Sequence, residues 1–551
     1  MAGYFCQELA HEVRRKTRTS ILERVNGELA DLLTKGHGGE RALQDLEAAN
    51  AFVVSLDTSR TWFRYHQMFA ALLQLELRRA APEEVAGLHR AAAGWFAGYG
   101  YPVEAVRHAQ AARDWGLAAE LLADHWPGLY LDGQAAVIHE LLAGFPAGAS
   151  AADVELAAMA AGDELARGSL EAAERHLTLA ERGSALVPEG RRGQAQLLLG
   201  MVRLLLALQR GDPPAVAEEA QRLQAMAEAP DAARPGLGEE LRALALISLG
   251  SAEYWAASFE DAERYLDQGV ALARRIGRPY LEFTGLVYAA VIEFYGSASL
   301  AVERGRQAAE LAERHGWTDE PGAGLASLTI GAVLAWQGQL EEAEPWIQRA
   351  ERALRAEAEP ASALSIRSLR GLLELARGRD ADALAAFQAA DRLSVRLAEP
   401  NLMVLPNRSF LVQTLVRLGE TQRAEQALAT LADQGRESGV MRISLATLRL
   451  AQDDPHEALA ALAPVLDGSA PVRGPTALGQ AFFAGGDRPR RARRFPRRRQ
   501  RRGARARPGR TRRRAVVVRA APGAGPAGAA RPARHRARRP DRRHPQPARR
   551  T

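Results

Sequence analysis

The sequence predicts an all-α protein: a right-handed superhelix of helical hairpins, preceded by a small winged-helix module and followed by a disordered Arg-rich tail. A motif that recurs about every 40 residues predicts the superhelix. The order helix, helix, β-hairpin, helix predicts the winged-helix module. A complete change of composition at Phe483 marks the start of the tail. We therefore divide the chain into five segments: 1–16 (the remnant of a preceding domain, or disordered), the 17–80 module, an 81–165 connector, the 166–482 repeats and the 483–551 tail.

The winged-helix module is predicted from the spacing of its apolar residues. Its predicted elements are helices at Ile21–Leu33, Glu40–Ala49 and His66–Arg79, and strands at Phe52–Leu56 and Thr61–Tyr65, joined by a turn at 57–60. The apolar face of the third helix consists of Phe69, Leu72, Leu73 and Leu77. Few basic residues precede Arg78 and Arg79, so we expect a packing or regulatory role rather than DNA reading.

The connector begins with an apolar and aromatic pattern over Leu88–Leu122, which predicts two or three helices that open the superhelix. The repeats then pair a small turn residue with an alanine five positions later. The six clear copies are Gly168–Ala173, Ala257–Ala262, Gly338–Ala343, Gly378–Ala383, Gly419–Ala424 and Asp453–Ala458, and weaker copies start at Gly211 and Gly296.

This repeat has a physical explanation as a helical hairpin. The small residue ends one helix in the left-handed conformation that side chains with a Cβ atom avoid. The alanine lets the second helix pack closely on the first, because a larger side chain would separate them. One hairpin cannot bury its own apolar face, whereas stacked hairpins can, so the motif predicts a TPR-like superhelix with a concave surface.

The tail differs from the rest of the chain in both composition and charge. Residues 483–551 contain 26 Arg and no Leu, Ile, Met, Lys, Glu or Ser, with a net charge of +24. The preceding 482 residues carry 47 basic and 64 acidic side chains, a net charge of −17. The formal charge of +7 therefore describes neither region, and it does not predict nucleic-acid binding by the body.

Three interpretations of the tail are open: a GC-rich gene read in the wrong frame, a disordered arm that binds RNA or DNA, and a solvated linker. The absence of Lys among 26 basic residues favours the wrong frame, because the bias then lies in codons rather than in charge. If the tail is made, we expect weak, non-specific and salt-dependent binding of polyanions.

No catalytic, cofactor or metal site is predicted, and we expect no enzyme. His11-Glu12 has no second His at helical spacing, and no Ser lies in a Gly-x-Ser-x-Gly turn. Four further histidines are interpreted as helix or packing residues: His66, His89, His108 and His125. Cys6 is the only cysteine, which excludes an intrachain disulfide and fits a reducing compartment. Without a signal peptide or an apolar span, the body is expected to be soluble and cytoplasmic.

One aromatic cluster has two interpretations. Its members lie near the ends of the first helices of consecutive hairpins: Tyr254, Trp255, Tyr288, Phe294, Tyr295 and Trp336. They either line the concave face and stack on a sugar or another small inducer, or they fill gaps between helices, as aromatic residues of helical repeats usually do. The residues that bind a ligand are therefore left unknown.

Three stretches carry a resemblance to one family. Thr19–Arg24, Leu46–Phe52 and Trp62–Phe69 resemble the winged-helix segment of MalT-type LuxR regulators, and the Trp95–Leu122 pattern and the repeats are similar to the superhelical sensor of that family. The resemblance covers residues 17–482. It implies a P-loop ATPase domain, a winged helix, a sensor that takes an inducer and a C-terminal helix-turn-helix that binds DNA.

The sequence departs from this family at both ends. Its only lysines, Lys16 and Lys35, follow no Gly-x-x-x-x-Gly loop, so ATP binding is not carried over and no cofactor is predicted. The tail lacks the Leu-rich helices of a helix-turn-helix. We therefore expect a fragment that lacks the ATPase and DNA-binding domains, and DNA would be a partner only through the missing C-terminal domain.

The function expected from this resemblance is that of a non-enzymatic sensor, which binds an inducer or a protein partner through the superhelix and can self-associate. The alternative is a free-standing TPR-like scaffold for protein interactions, with non-specific nucleic-acid binding if the tail is real. No membrane partner is expected.

Overall fold

The computed structural model describes residues 16–210, 212–228, 237–256, 258–294, 296–353, 360–394, 403–431, 433–470 and 472. The chain divides into two units, Met1–Asp487 and Arg488–Thr551, and every described residue belongs to the first. The predictions for the tail and for residues 1–15 lie outside the described residues and stay predictions.

The all-α class predicted from the sequence is confirmed, since the described residues form a succession of helices with one small sheet. The helices are α1 Gly27–Thr34, α2 Gly39–Ala48, α3 Gln67–Ala80, α4 Pro82–Gly98, α5 Pro102–Ala111, α6 Trp115–Leu131, α7 Ala135–Ala143, α8 Ala149–Ala152, α9 Val154–Ala166, α10 Leu170–Gly183, α11 Arg192–Arg210, α12 Pro213–Glu228, α13 Leu237–Trp255, α14 Phe259–Arg275, α15 Pro279–Glu293, α16 Ala298–His315, α17 Pro321–Trp336, α18 Leu340–Ala353, α19 Pro360–Ala376, α20 Asp380–Ser394, α21 Val404–Arg417, α22 Thr421–Ala429, α23 Asp433–Glu437, α24 Gly439–Ala451 and α25 Pro455–Leu466. The strands are β1 Val53–Ser55 and β2 Phe63–Tyr65. None of the described helices is both long and apolar enough to cross a bilayer.

The first helix of the winged-helix module is shorter than the sequence predicts. The pattern predicts a helix from Ile21, but α1 starts at Gly27, after Asn26 accepts a hydrogen bond from the Leu29 amide at 2.9 Å. Val25, just before it, is instead held in an isolated β-bridge, because it exchanges two backbone hydrogen bonds of 2.8 Å with Phe63. A contact with a residue far along the chain therefore overrides the local helical spacing.

The β-hairpin of the module is antiparallel and pairs Val53 with Tyr65 and Ser55 with Phe63. Its turn is fixed by the Asp57 carboxylate, which accepts hydrogen bonds from the amides of Thr61 at 2.9 Å and Trp62 at 3.0 Å. These local bonds satisfy the polar backbone groups of the turn and set the register of the two strands.

The predicted apolar face of the third helix is partly wrong. On α3, Leu73 and Leu77 are buried and Phe69 is partly buried, but the Leu72 side chain is 68% exposed. The helix is rotated so that only the row containing Leu73 and Leu77 meets the core, and Leu72 falls outside that row.

The module and the first connector hairpin share one hydrophobic core. Leu29 and Phe63 of the module pack in the same cluster as Phe96 of α4 and Ala105 of α5. Polar contacts join the same elements: Arg18 donates to both Glu84 oxygens at 2.8 and 2.9 Å. The guanidinium carbon of Arg24 lies 4.8 Å from the Trp62 ring and 4.4 Å from the Tyr101 ring, while its side chain pairs with Glu104. The predicted boundary between the module and the connector, between residues 80 and 81, therefore passes through a continuous hydrophobic core.

The turn residues of the repeats adopt the backbone conformation that the sequence predicts. The small residues with positive φ are Gly168 at 77°, Gly338 at 77°, Gly378 at 75°, Gly419 at 79° and Asp453 at 58°. The paired alanines that are buried are Ala173, Ala262, Ala343, Ala383, Ala424 and Ala458. Gly211 and Ala257 lie outside the described residues. The weaker copy at Gly296 departs from the motif, because its turn is instead capped by Ser297, whose side chain accepts from the Leu300 amide.

The paired helices of at least two hairpins approach each other closely. A Cβ atom at Gly331 of α17 would lie 2.9 Å from Ile347 and 3.5 Å from the Ala343 carbonyl oxygen, both on α18. A Cβ atom at Gly250 of α13 would likewise lie 2.5 Å from Leu266 of α14. The two helices of each of these hairpins therefore approach at a distance that excludes larger side chains.

We expect Ala343→Leu to lower the free energy of unfolding by about 1–3 kcal/mol, because the buried position has no room for three further carbon atoms. Urea denaturation followed by circular dichroism measures this loss. The control is Glu342→Leu at the adjacent exposed position, which we expect to change stability by no more than about 0.5 kcal/mol. Equal effects of the two variants would show that the alanine position does not set the spacing of the helices.

Candidate ligand cavity

Five first helices of consecutive hairpins enclose a cavity of about 210 Å³, here called the inner cavity. It is lined by Tyr130 and Leu131 of α6, Gly162, Leu165 and Ala166 of α9, Leu205, Leu208 and Gln209 of α11, Leu244, Ile247, Ser248 and Ser251 of α13, and Tyr280, Leu281, Thr284 and Tyr288 of α15. Ala166 and Gln209 are exposed, whereas Ile247 and Leu281 are buried. The cavity therefore opens beside Ala166 and Gln209.

The lining of the inner cavity is uncharged. Every lining side chain in this described part of the chain is either aliphatic, a glycine, a hydroxyl-bearing residue or an amide. This differs from the chain as a whole, in which 25% of residues are Asp, Glu, Lys or Arg. Largely apolar walls with a few polar groups are typical of small-molecule sites.

Three tyrosines give the cavity its aromatic wall: Tyr130, Tyr280 and Tyr288. Burial raises the pKa of Tyr130 and of Tyr280 far above the usual range, and the nearby Tyr288 and Glu320 add to this effect. Both phenols therefore stay protonated and keep their hydrogen-bond donor. Burial, together with the adjacent Asp319, also raises the pKa of Glu320.

Several polar groups of the lining already donate to the backbone. The Ser251 hydroxyl donates to the Ile247 carbonyl at 3.0 Å, and the Thr284 hydroxyl donates to the Tyr280 carbonyl at 2.9 Å. The Gln209 amide donates to the Leu165 carbonyl at 2.7 Å. These donors fix their side chains on the walls and leave their oxygen atoms as acceptors.

A contact between distant parts of the chain positions two of the tyrosines. Arg278, the residue before α15, pairs with Asp132 at 2.5 Å and also with Glu240. Asp132 and Arg278 lie 146 positions apart in sequence. Beside them, Gly133 has a φ of 71°, and a Cβ atom there would lie 2.4 Å from Cδ2 of Tyr280. The start of α15 therefore meets the end of α6 next to the inner cavity.

The structure divides the aromatic cluster predicted from the sequence. Tyr288 lines the inner cavity, whereas Phe294 stacks on Trp336 with ring centroids 4.6 Å apart and an interplanar angle of 23°. Tyr254 packs against Phe259 at 6.2 Å. The side chain of Trp255 and all of Tyr295 lie outside the described residues.

The sequence interpretation missed Tyr130 and Tyr280. Neither lies in the repeat positions used to find the cluster, and only the contact between α6 and α15 brings them together. Tyr288 belongs to an α15 face on which Leu281 and Thr284 also line the cavity, at helical spacing. That spacing was a usable signal for α15, but no local pattern connects α15 to α6.

The histidines of the connector and module lie in packing contacts. His89 and His108 approach each other with their Nδ1 atoms 2.8 Å apart, and His108 stacks on Phe96 at 5.3 Å. Burial lowers the pKa of His89 and lowers that of His108 to about 3, so the pair is neutral near pH 7. His125 Nδ1 forms a hydrogen bond of 2.8 Å with the Leu121 carbonyl oxygen, and the His66 ring contacts the Phe52 ring edge-on. Within the described residues, no group of three His, Cys, Asp or Glu side chains is arranged to hold a metal ion.

Comparison with known proteins identifies the N-terminal part. Residues 6–85 match the family model of the MalT winged helix domain. The HTH-type transcriptional regulator MalT of Serratia proteamaculans is 34% identical over 152 residues, which are 26% of this chain and 17% of that protein. This part of the chain is similar to MalT-type transcriptional regulators.

MalT of Yersinia pestis is 30% identical over 232 residues, which are 40% of this chain and 25% of that protein. The match thus spans a quarter or less of the length of these MalT relatives. Among solved structures, a Rap protein complexed with competence and sporulation factor is similar to this chain, with a TM-score of 0.42 and 13% identity. The similarity covers 58% of this chain and 88% of the Rap chain. A STAND protein with a tetratricopeptide repeat sensor from Pyrococcus horikoshii is also similar, with a TM-score of 0.39 and 13% identity. This similarity covers 84% of this chain and 64% of the STAND chain.

Proposed function

We propose that the described helical hairpins are the sensor part of a MalT-type LuxR transcriptional regulator, and that they bind a small-molecule inducer in the inner cavity. The observation that carries this proposal is the cavity itself, which has uncharged walls contributed by five successive first helices. The relationship to HTH-type transcriptional regulators supports control of transcription as the output. We assign the described residues no catalytic role.

The mechanism we propose is a shift between two arrangements of the hairpins. A ligand in the cavity touches α6 and α9 at one end of the set and α13 and α15 at the other, so it binds most tightly when these helices are close. The contact of Arg278 with Asp132 and Glu240 joins the same two ends. A ligand that binds one arrangement more tightly raises the population of that arrangement, by a factor set by the ratio of its affinities for the two arrangements. The inducer would thereby change the curvature of the repeats.

The test is a thermal-shift screen of small molecules on the full chain. A ligand at about 100 times its Kd is expected to stabilise the folded state by about 2.7 kcal/mol, which raises the melting temperature. Ala166→Trp places an indole at the opening and is expected to abolish the shift. The matched control is Ala256→Trp, an exposed alanine just after α13 that does not line the cavity, and it should keep the shift.

Two outcomes would contradict the proposed function. The first is a screen in which no compound raises the melting temperature of the wild-type chain. The second is a set of active compounds whose shifts survive in Ala166→Trp as well as in Ala256→Trp. In either case the alternative of a protein-interaction scaffold would replace the inducer sensor.

A further inference from the structure

We propose that the ligand of the inner cavity is a small, uncharged molecule with one aromatic ring and a hydrogen-bond acceptor such as a carbonyl or ester oxygen. This inference rests on the proposed function and adds the chemical class of the ligand. Three properties of the cavity carry it: the absence of charge on its walls, its volume and the hydrogen-bonding state of its polar groups.

The surroundings of the inner cavity disfavour an anionic ligand. A carboxylate group there would leave water without meeting an opposite charge, since none of the lining residues carries one, and it would lie near the Glu320 carboxyl that raises the pKa of Tyr130 and Tyr280. The charged groups nearest in sequence to α6 and α15 are already paired, because Arg278 binds Asp132 and Glu240. An anionic inducer would have to break this contact to gain Arg278 as a partner.

The volume limits the ligand to a single ring with a short substituent. An engineered cavity of about 150 Å³ holds benzene, so 210 Å³ accommodates a substituted benzene of about 8–12 non-hydrogen atoms. The aliphatic walls, such as Leu165, Ile247 and Leu281, are suited to the faces of such a ring. The phenol rings of Tyr130, Tyr280 and Tyr288 add edge or face contacts.

The phenol donors favour an acceptor on the ligand, and the aliphatic walls disfavour a sugar. The hydroxyls of Ser251 and Thr284 donate to backbone carbonyls, as does the amide of Gln209. The protonated phenols of Tyr130 and Tyr280 supply donors for one or two acceptor atoms. A monosaccharide carries several hydroxyl groups, and those facing the leucines would be buried without a partner.

The experiment compares three probes by isothermal titration calorimetry on the full chain: methyl benzoate, benzoate and D-glucose. Methyl benzoate and benzoate share the ring and differ in charge, and glucose is a single ring rich in hydroxyl groups. We expect binding of methyl benzoate only. Tyr130→Phe and Tyr280→Phe should each weaken it by about five- to tenfold through loss of a donor. Tyr265→Phe on α14, a tyrosine outside the cavity lining, should leave it unchanged.

The outcomes separate the ligand class from the proposed function. Tighter binding of benzoate or glucose that Ala166→Trp abolishes would overturn the ligand class and leave the sensor function standing. Failure of all three probes, together with a thermal-shift screen that yields no compound sensitive to Ala166→Trp, would overturn both. Circular dichroism spectra and melting curves of each variant establish that it is folded before its affinity is compared.

Discussion

Phe387→Ala is expected to lower the free energy of unfolding by about 3–5 kcal/mol, the largest effect of any single substitution considered for this chain. The side chain is fully buried, and its ring stacks on Phe410 of α21 with centroids 5.7 Å apart. It lies on α20 and contacts the flanking helices α19 and α21. Truncation therefore removes the apolar contacts of three helices at once and leaves a cavity that well-packed helices cannot close.

Gly371 on α19 provides a direct test of this packing. A Cβ atom there would lie 2.5 Å from Cε1 and 2.7 Å from Cδ1 of Phe387, so the ring rests against the helix backbone. Gly371→Ala should destabilise the wild-type chain because of this clash. In the Phe387→Ala background the same substitution fills empty space and gains about 1 kcal/mol of helix propensity. The sign of its effect should therefore reverse.

A double-mutant cycle measures this coupling by urea denaturation of the four chains. Hydrogen exchange followed by mass spectrometry locates the loss, which should appear in peptides of α19–α21 and leave those of α9–α11 protected as in the wild type. Phe387→Leu is the conservative control and should cost less than Phe387→Ala. If Gly371→Ala destabilises both backgrounds equally, the ring does not fill the contact described here.

The repeats are the part of the fold that the sequence predicts best, because the signal is local. A left-handed turn residue and a buried alanine five positions later are requirements of one hairpin, and Gly338 and Ala343 meet both. Even Asp453, which replaces glycine in the last copy, takes a φ of 58°. The start of α1 is the opposite case. Val25 is drawn out of the predicted helix by pairing with Phe63, and no local pattern encodes that contact.

The inner cavity could be predicted only in part, because it also depends on contacts between residues that are far apart in the sequence. Tyr288 belonged to the aromatic cluster predicted from the sequence, for which two interpretations were open, and its place in the cavity lining depends on the rotation of α15. Phe294, six positions later, follows the end of that helix and stacks on Trp336 instead. Tyr130 and Tyr280 become neighbours only because Arg278 meets Asp132, far along the chain. Local periodicity places residues on a helix face, whereas the stacking of several hairpins decides which faces enclose a cavity.

Glu344→Gln is expected to destabilise the chain at pH 7 by about 1–3 kcal/mol, through loss of charged hydrogen bonds between α18 and α19. The Glu344 carboxylate accepts from Arg370 at 2.7 Å, from Arg377 at 2.7 Å and from Gln348 at 2.9 Å. Burial alone would raise the pKa of Glu344, but these hydrogen bonds outweigh it and lower the pKa to about 2. The folded chain therefore holds this group ionised well below its usual pKa of 4.5.

The lowered pKa determines the direction of the pH dependence. Because the unfolded chain binds the proton more readily, the stabilisation is fully present above pH 4.5 and is lost as the pH falls towards 2. The difference in unfolding free energy between wild type and Glu344→Gln should thus shrink over this interval. Urea denaturation at about pH 7, 4.5, 3.5 and 2.5 measures this difference.

The control for this titration is Glu341→Gln. Glu341 lies on the same helix at 3.9 Å from Arg377, but its side chain is 95% exposed. An exposed pair at this distance contributes little, so the control should match the wild type within about 0.5 kcal/mol at every pH. A gap between wild type and Glu344→Gln that stays constant down to about pH 3 would mean that Arg370 and Arg377 do not hold this carboxylate ionised. A gap that closes, with Glu341→Gln unchanged, would place the acid sensitivity of these hairpins at the contact between α18 and α19.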